Sequence, residues 1–128
     1  MQEKNNPLSP HLQIYRWQIS SLLSITHRIV GVINILAISA ICFWSLFLLL
    51  GAESYEVLNN FFNSFFGKFI AVGLCWTFSF HILNELRHLF WDMGYGFDLK
   101  ISRITGVLAL VGPFVLTILF YLIGKNIF

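Results

Sequence analysis

Two groups of polar residues recur at helical spacing inside otherwise apolar stretches of the chain. Members of each group lie at positions i, i+3, i+4 and i+7, which places them on one face of an α-helix. The first stripe is Ser24, His27, Arg28 and Gly31, and the second stripe is His81, Asn84, Glu85 and His88. Because a charged side chain inside a membrane span costs roughly 2 to 3 kcal/mol on insertion, such stripes indicate a shared polar pocket.

Histidine points most directly to a cofactor, because neutral imidazole is the commonest metal ligand in proteins. His81 lies near the end of an uncharged run, 69–83. His81 and His88 are about 10.5 Å apart along one helix, so they cannot bind opposite faces of the same haem iron. The opposite ligand of a haem on His81 would come from His27 or from a partner subunit, and the spacing leaves both possibilities open.

The remaining polar residues of the stripes suit either the edge of a haem or a quinone. His27 and His88 could pair with haem propionates, as Arg28 or Arg87 would. A quinone carbonyl instead needs a hydroxyl and a cationic donor at the edge of an apolar slot, which Ser24 and Arg28 could provide beside Trp17. The simpler alternatives are that Arg28 reaches lipid headgroups, Ser24 bonds within its own helix, and each additional histidine bonds to a backbone carbonyl.

The composition predicts a membrane protein. Of 128 residues, 57% are hydrophobic and 11% are charged, and so few charged groups cannot cover the surface of a soluble domain. The net charge of +2 is scattered along the chain, so no nucleic-acid partner is indicated. Cys42 and Cys75 lack a CxxCH context, which excludes a covalently attached c-type haem.

We predict an all-α membrane protein in which a single domain, 1–128, crosses the bilayer three times. The predicted spans are roughly 22–51, 62–90 and 104–124, each long enough for a hydrocarbon core about 30 Å thick. The middle span contains Lys68 and the second stripe, so an amphipathic interfacial helix is the alternative there.

The distribution of basic residues predicts the orientation. Lysines and arginines flank the first span on its amino side and occupy the connection between the second and third spans, whereas the other connection carries Glu53 and Glu56. The positive-inside rule therefore places the amino-terminal arm, 1–20, on the cytoplasm or matrix side. No cleavable signal or transit peptide is apparent, which favours bacterial or organelle-encoded synthesis.

Three blocks of the chain resemble a known family. They read PLSPHLQIY at 7–15, SITHRIVG at 24–31, and His81 followed by RHLFWDMGY at 87–95. In these blocks, and in span number and spacing, the chain is similar to the cytochrome b membrane-anchor subunits of succinate dehydrogenase (respiratory complex II), the larger of two anchors. The resemblance covers nearly the whole chain.

The resemblance implies a place in a four-subunit enzyme of the bacterial or mitochondrial inner membrane. The expected partners are a second membrane anchor, an iron–sulfur subunit and a flavoprotein, the last two carrying the iron–sulfur clusters and FAD. Together they would transfer electrons from succinate to ubiquinone, linking the tricarboxylic acid cycle to the respiratory chain. The chain alone would be non-catalytic and would share haem b with the second anchor.

The resemblance also assigns roles to individual residues. It implies that His81 is an axial ligand of the haem iron, the other being a histidine of the second anchor. It makes Ser24 and Arg28 quinone-binding residues, with Trp17 near that site. His27 becomes a neighbour of a haem propionate, and His88 belongs to the same motif with a less defined role.

Glu85 departs from the family pattern, which usually has glycine four residues after the haem histidine. A glutamate there would turn aside, pair with Arg87 or a partner, or crowd the porphyrin, so haem b is a weaker expectation than the quinone role. Gln18 stands where the family often has proline. The alternative functions are a self-contained b-type cytochrome, using His27 and His81, a fumarate reductase anchor, and a transporter or assembly factor.

Overall fold

The chain folds into helices connected by short turns. The computed structural model describes residues 16–49 and 51–127, and within those ranges every regular element is α-helical. The helices are α1 (Ile19–Leu49), α2 (Ala52–Asn63), α3 (Phe65–Asp92) and α4 (Leu99–Ile127). Helices α1, α3 and α4 are long and apolar enough to cross a membrane, so the predicted class with three spans is confirmed. Most of the predicted arm, 1–20, lies outside the described residues.

Helix α2 lies in the predicted connection between the first two spans. It is preceded by Gly51, whose φ of 111° is in the region that favours glycine. Ser64 separates it from α3, since its Oγ donates to the carbonyl of Phe61 at 2.6 Å and accepts from the amide of Gly67 at 3.1 Å. From the sequence, Glu53 and Glu56 of this segment indicate only the orientation of the chain, and no helix is predicted here.

A tight turn joins α3 to α4. Gly94 and Gly96 have φ values of 85° and 83°, which residues with a Cβ rarely adopt. The indole of Trp91 donates to the carbonyl of Gly96 at 3.3 Å, and the carboxylate of Asp98 accepts from the amide of Lys100 at 2.7 Å, capping α4. The carboxyl end of α3 is thereby fixed beside the amino end of α4.

Glycines on α4 allow it to approach both other spans. A Cβ at Gly106 would lie 2.9 Å from Cγ2 of Ile19 on α1, and a Cβ at Gly112 would lie 2.7 Å from Cδ1 of Leu83 on α3. Contacts this short require a neighbour to move, so glycine sets the separation of the helices. At this end of the bundle all three spans therefore meet.

The buried core is small, and most large apolar side chains face outward. Leu23, Val30, Phe80 and Ala109 form the core, with Trp76 packed against it. Lipid tails or partner helices would cover the exposed apolar surfaces in a membrane. The core therefore fixes how the spans pack while leaving their outer faces for other contacts.

Candidate functional site

Helices α1 and α3 bring the two polar stripes together. The rings of His27 and His81 stack with their centroids 4.3 Å apart and their planes inclined by 12°. Gly31 lies against the same ring, because a Cβ there would be 3.5 Å from Cε1 of His81. The His81 ring therefore packs against α1 at Gly31, at a distance that a Cβ would meet as an ordinary van der Waals contact.

Glu85 completes a group of three side chains with these histidines. Its Oε1 lies 3.1 Å from Nε2 of His27 and 3.8 Å from Nε2 of His81. One ligand atom from each side chain lies within 4.8 Å of the others. Glu85 thus pairs with a histidine of α1 in the same chain, a pairing that its position in the sequence does not indicate. Its side chain is 57% exposed, so it has room to adopt other rotamers.

The stacking of the histidines opposes a haem held by this chain alone. Two axial imidazoles approach an iron from opposite faces of the macrocycle, each with a nitrogen directed at the metal. Nearly parallel rings with centroids 4.3 Å apart leave no space for a macrocycle between them. His27 and His81 are therefore not arranged as two ligands of one iron.

His88 lies at the edge of the same group. Its Nδ1 is 2.8 Å from the backbone carbonyl of Asn84, and its ring centroid is 5.8 Å from that of His27. The ring also meets Trp91 edge-on at 5.4 Å. The alternative of a histidine bonded to a backbone carbonyl thus describes His88, and its Nε2 is left for another partner.

The predicted quinone residues lie on exposed surface. Ser24 and Arg28 occupy the exposed flank of the first stripe. In the part of the chain that the structure describes, the Ser24 hydroxyl makes no hydrogen bond, whereas Ser39 and Ser45 bond to carbonyls four residues earlier. Trp17 is 68% exposed and lines a polar cavity where α1 and α4 begin. These side chains are placed for contact with something outside this chain.

Arg87 forms a polar centre that the stripe spacing does not reveal. It is only 7% exposed, and its guanidinium donates to the hydroxyls of Ser102 and Thr105 and to the Ser102 carbonyl at 3.1–3.2 Å. Its Cζ also lies 4.0 Å from the ring centroid of Trp91. Six residues after His81, Arg87 falls on a different face of α3. The signal in the sequence is the hydroxyl pair three residues apart on α4.

Asn34 is a second buried polar residue that the sequence pattern did not indicate. Its Nδ2 donates to the backbone carbonyl of Thr77 at 3.4 Å, joining α1 to α3. It lies three residues after Gly31 and extends the first stripe toward the interior of the bundle. An asparagine at this spacing in an apolar helix was the available signal.

Comparison with known proteins identifies the family. The model of the succinate dehydrogenase/fumarate reductase transmembrane subunit family matches residues 2–120. The chain belongs to this family. Succinate dehydrogenase cytochrome b556 subunits of Rickettsia felis and Paracoccus denitrificans are 42% and 33% identical over 115 residues each, covering 90% of this chain and 90% and 88% of their own lengths.

A relative from Reclinomonas americana is similar to the same extent. The succinate dehydrogenase cytochrome b560 subunit of Reclinomonas americana is 35% identical over 127 residues, covering 93% of this chain and 86% of its own length. The resemblance found in the sequence is therefore confirmed. This chain is a transmembrane subunit of the cytochrome b type, and its relatives occur in bacteria and mitochondria.

Proposed function

We propose that this chain anchors a succinate:quinone oxidoreductase, helps to form its ubiquinone site and co-ligates haem b. The activity would belong to the assembled enzyme, with a flavoprotein, an iron–sulfur subunit and a second anchor as partners. The observation that carries the proposal is the convergence of His27 and His81 between α1 and α3, with their ring centroids 4.3 Å apart. The names of the relatives, cytochrome b subunits of succinate dehydrogenase, support it.

His81 suits one axial position of a haem shared with a second subunit. Its Nδ1 is buried and, among the described residues, has no hydrogen-bond partner, while its Nε2 faces the exposed carboxylate of Glu85. Nε2 is therefore the nitrogen directed toward the open side of the site. The fit requires Glu85 to leave its position 3.8 Å from Nε2, and its exposed side chain can do so.

Residues around His81 would hold the remainder of the cofactor. Haem b, when bound, supplies a one-electron redox centre near the quinone. His27 and His88 lie beside His81, with the ring centroids of His27 and His88 5.8 Å apart, and both imidazoles would contact a propionate. Arg28, on the adjacent exposed flank, would add a permanent positive charge.

Ser24 and Arg28 would orient ubiquinone. The Ser24 hydroxyl makes no hydrogen bond within the described residues, and Arg28 has no carboxylate within 4.0 Å there, so both retain donors for a carbonyl oxygen. Two one-electron transfers from the last cluster of the iron–sulfur partner, with two protons from the aqueous side, would convert ubiquinone to ubiquinol. Trp17 would pack near the ring.

The charge distribution supports a membrane orientation for the chain, and the names of the relatives support a physiological direction of the reaction. The bias of lysine and arginine toward the amino-terminal side of α1 and the α3–α4 connection supports a multi-pass inner-membrane protein with its amino terminus on the cytoplasm or matrix side. The family name covers fumarate reductase as well as succinate dehydrogenase, so a fumarate reductase anchor is the second candidate. The named relatives favour succinate oxidation.

A reduced-minus-oxidised optical spectrum tests the proposal. The complex would be captured in mild detergent through a tag on this chain and reduced with dithionite. We expect a b-type α-band that His81→Ala abolishes and that His88→Ala and Glu85→Gly retain. A quinone-reducing complex without the band would overturn the haem assignment alone. Recovery of this chain without any dehydrogenase subunit would overturn the anchor role.

A further inference from the structure

Two cavities meet at Arg87, on the side of α3 that faces α4. One, of about 630 Å³, lies between α3 and α4 and is lined mainly by apolar side chains, including Leu86, Phe90, Ile101 and Leu108. The other, of about 790 Å³, lies where α1 and α4 begin and is lined by polar and basic side chains, including Ser20, Lys100, Ser102 and Arg103. Arg87 lines both cavities, so an amphiphile bound beside Arg87 would reach both of them.

Among the described residues, the positive charge of Arg87 has no counter-ion. Its hydrogen-bond acceptors are two hydroxyls and one backbone carbonyl, all neutral. Across residues 16–49 and 51–127, no carboxylate lies within 4.0 Å of its guanidinium. A charge that is 93% buried (7% exposed) is unfavourable without an opposite charge. The geometry therefore calls for an anion at this position.

The rim of the polar cavity is positively charged, as Arg87 is. Lys100 and Arg103 are exposed at the beginning of α4, and no acidic side chain lines this cavity. A group with a negative charge would therefore meet three cations, one buried and two exposed. Basic pockets between membrane helices on the inner side are typical binding sites for anionic lipid headgroups.

The apolar cavity extends the site away from the charges. Trp91 and Tyr95 line it near the end of α3, where aromatic residues are typical of the membrane interface. The rest of the lining is mainly leucine, isoleucine and phenylalanine side chains, which suit a hydrocarbon chain. A small anion such as phosphate would leave this cavity unused, whereas an amphiphile would fill both parts.

We propose that the α3–α4 seam binds one anionic phospholipid, with its phosphate beside Arg87, Lys100 and Arg103 and an acyl chain between Leu86 and Leu108. This lipid site is on a different face of α3 from His81 and does not depend on the proposed haem, whereas its polar cavity shares Trp17 with the proposed quinone site. The lipid would neutralise Arg87 and fill the gap between the two helices.

Native mass spectrometry of the intact complex tests this site. Delipidated complex would be titrated with dioleoylphosphatidylglycerol, with dioleoylphosphatidylcholine as the zwitterionic comparison. Each basic residue near a membrane surface contributes about fivefold to the binding of an anionic lipid. We therefore expect Lys100→Gln with Arg103→Gln to weaken phosphatidylglycerol binding about 25-fold. The matched control Lys125→Gln, at the other end of α4, should change it less than about twofold.

A variant in the apolar cavity separates a lipid from a free anion. Leu108→Trp fills the space between α3 and α4 and should weaken phosphatidylglycerol about tenfold, equivalent to losing roughly two buried methylene groups. Equal binding of the two lipids by the unmodified complex would overturn the proposal. So would unchanged phosphatidylglycerol binding in the double variant, or inorganic phosphate that displaces this lipid at equal concentration.

Discussion

The two faces of α3 carry polar groups that are satisfied in different ways. On one face, His81 and Glu85 meet His27 of α1, and the Nδ1 of His81 is buried without a hydrogen-bond partner in the described part of the chain. On the other face, Arg87 places its donors on Ser102 and Thr105 of α4 and stacks on Trp91.

This difference separates an incomplete site from an internally bonded one. Polar groups inside a membrane bundle are costly unless they are paired, so an unsatisfied group marks a place where another molecule contributes. The proposed haem would supply the remaining interactions of the His81 face. On the Arg87 face the hydrogen bonds come from this chain, and no carboxylate of the described residues lies within 4.0 Å of the guanidinium. Substitutions on the first face should affect activity, and those on the second should affect stability.

The largest expected effect is on activity, at Arg28. In Arg28→Ala, loss of a charged donor to the quinone carbonyl should lower quinone reductase activity about 100-fold while the complex assembles normally. The measurement is succinate-dependent reduction of a ubiquinone analogue by purified complex. Lys68→Ala, which removes an exposed charge from the first turn of α3, should leave the rate unchanged. Full activity in assembled Arg28→Ala would remove this residue from the quinone site.

A smaller effect, on stability, is expected at Arg87. Arg87→Lys keeps the buried charge and removes the planar fork that reaches Ser102 and Thr105, so it should destabilise the complex by about 2 kcal/mol. Thermal denaturation in detergent would measure this as a lower midpoint at unchanged lipid content. The same substitution at exposed Arg103 is the matched control and should shift the midpoint little. Equal midpoints for both variants would mean that the Arg87 hydrogen bonds contribute nothing to stability.

The sequence indicated the incomplete site on the His81 face of α3 better than the internally bonded site on the Arg87 face. The spacing of the residues was enough to place His27 on the same helix face as Ser24, and His81 on the same face as Glu85. Each stripe lies on a single helix and follows the helical period. The pairing of Glu85 with His27 instead of Arg87 depends on how α1 and α3 are rotated about their axes. That rotation is set by tertiary contacts such as the one at Gly31, and no periodicity encodes it.

The fold, too, could be predicted from patterns within one segment and not from contacts between segments. Three apolar runs predicted three spans because hydropathy over about 20 residues is sufficient for a bilayer. Helix α2 was missed because its acidic residues break the apolar pattern, although Ser64 caps its junction with α3. The buried position of Arg87 was missed because it depends on hydroxyls that α4 supplies from fifteen to eighteen residues further along the chain.

A glycine substitution on α4 would test how closely α3 and α4 must pack, because a larger side chain there would separate them. In Gly112→Ala the new Cβ would lie 2.7 Å from Cδ1 of Leu83, so we expect a loss of about 1–2 kcal/mol from overpacking. Gly73→Ala is the matched control, because nothing lies within 4 Å of a Cβ at that position. Thermal denaturation of both variants would measure the difference. Equal stability would show that α3 and α4 can separate freely at this level.

The smallest effect is expected at Asn34, which borders the His81 face and donates one hydrogen bond to α3. Its Nδ2 reaches the Thr77 carbonyl at 3.4 Å, while its Oδ1 is buried without a partner among the described residues. Asn34→Leu removes both groups, and since interhelical hydrogen bonds in membranes average about 0.6 kcal/mol, stability should change by less than about 1 kcal/mol. Quinone reductase activity should also be retained, as in Ser45→Ala. A large loss of activity with normal stability would extend the incomplete site one turn deeper along α1, and Asn34 would then belong with His27 instead of with the structural contacts.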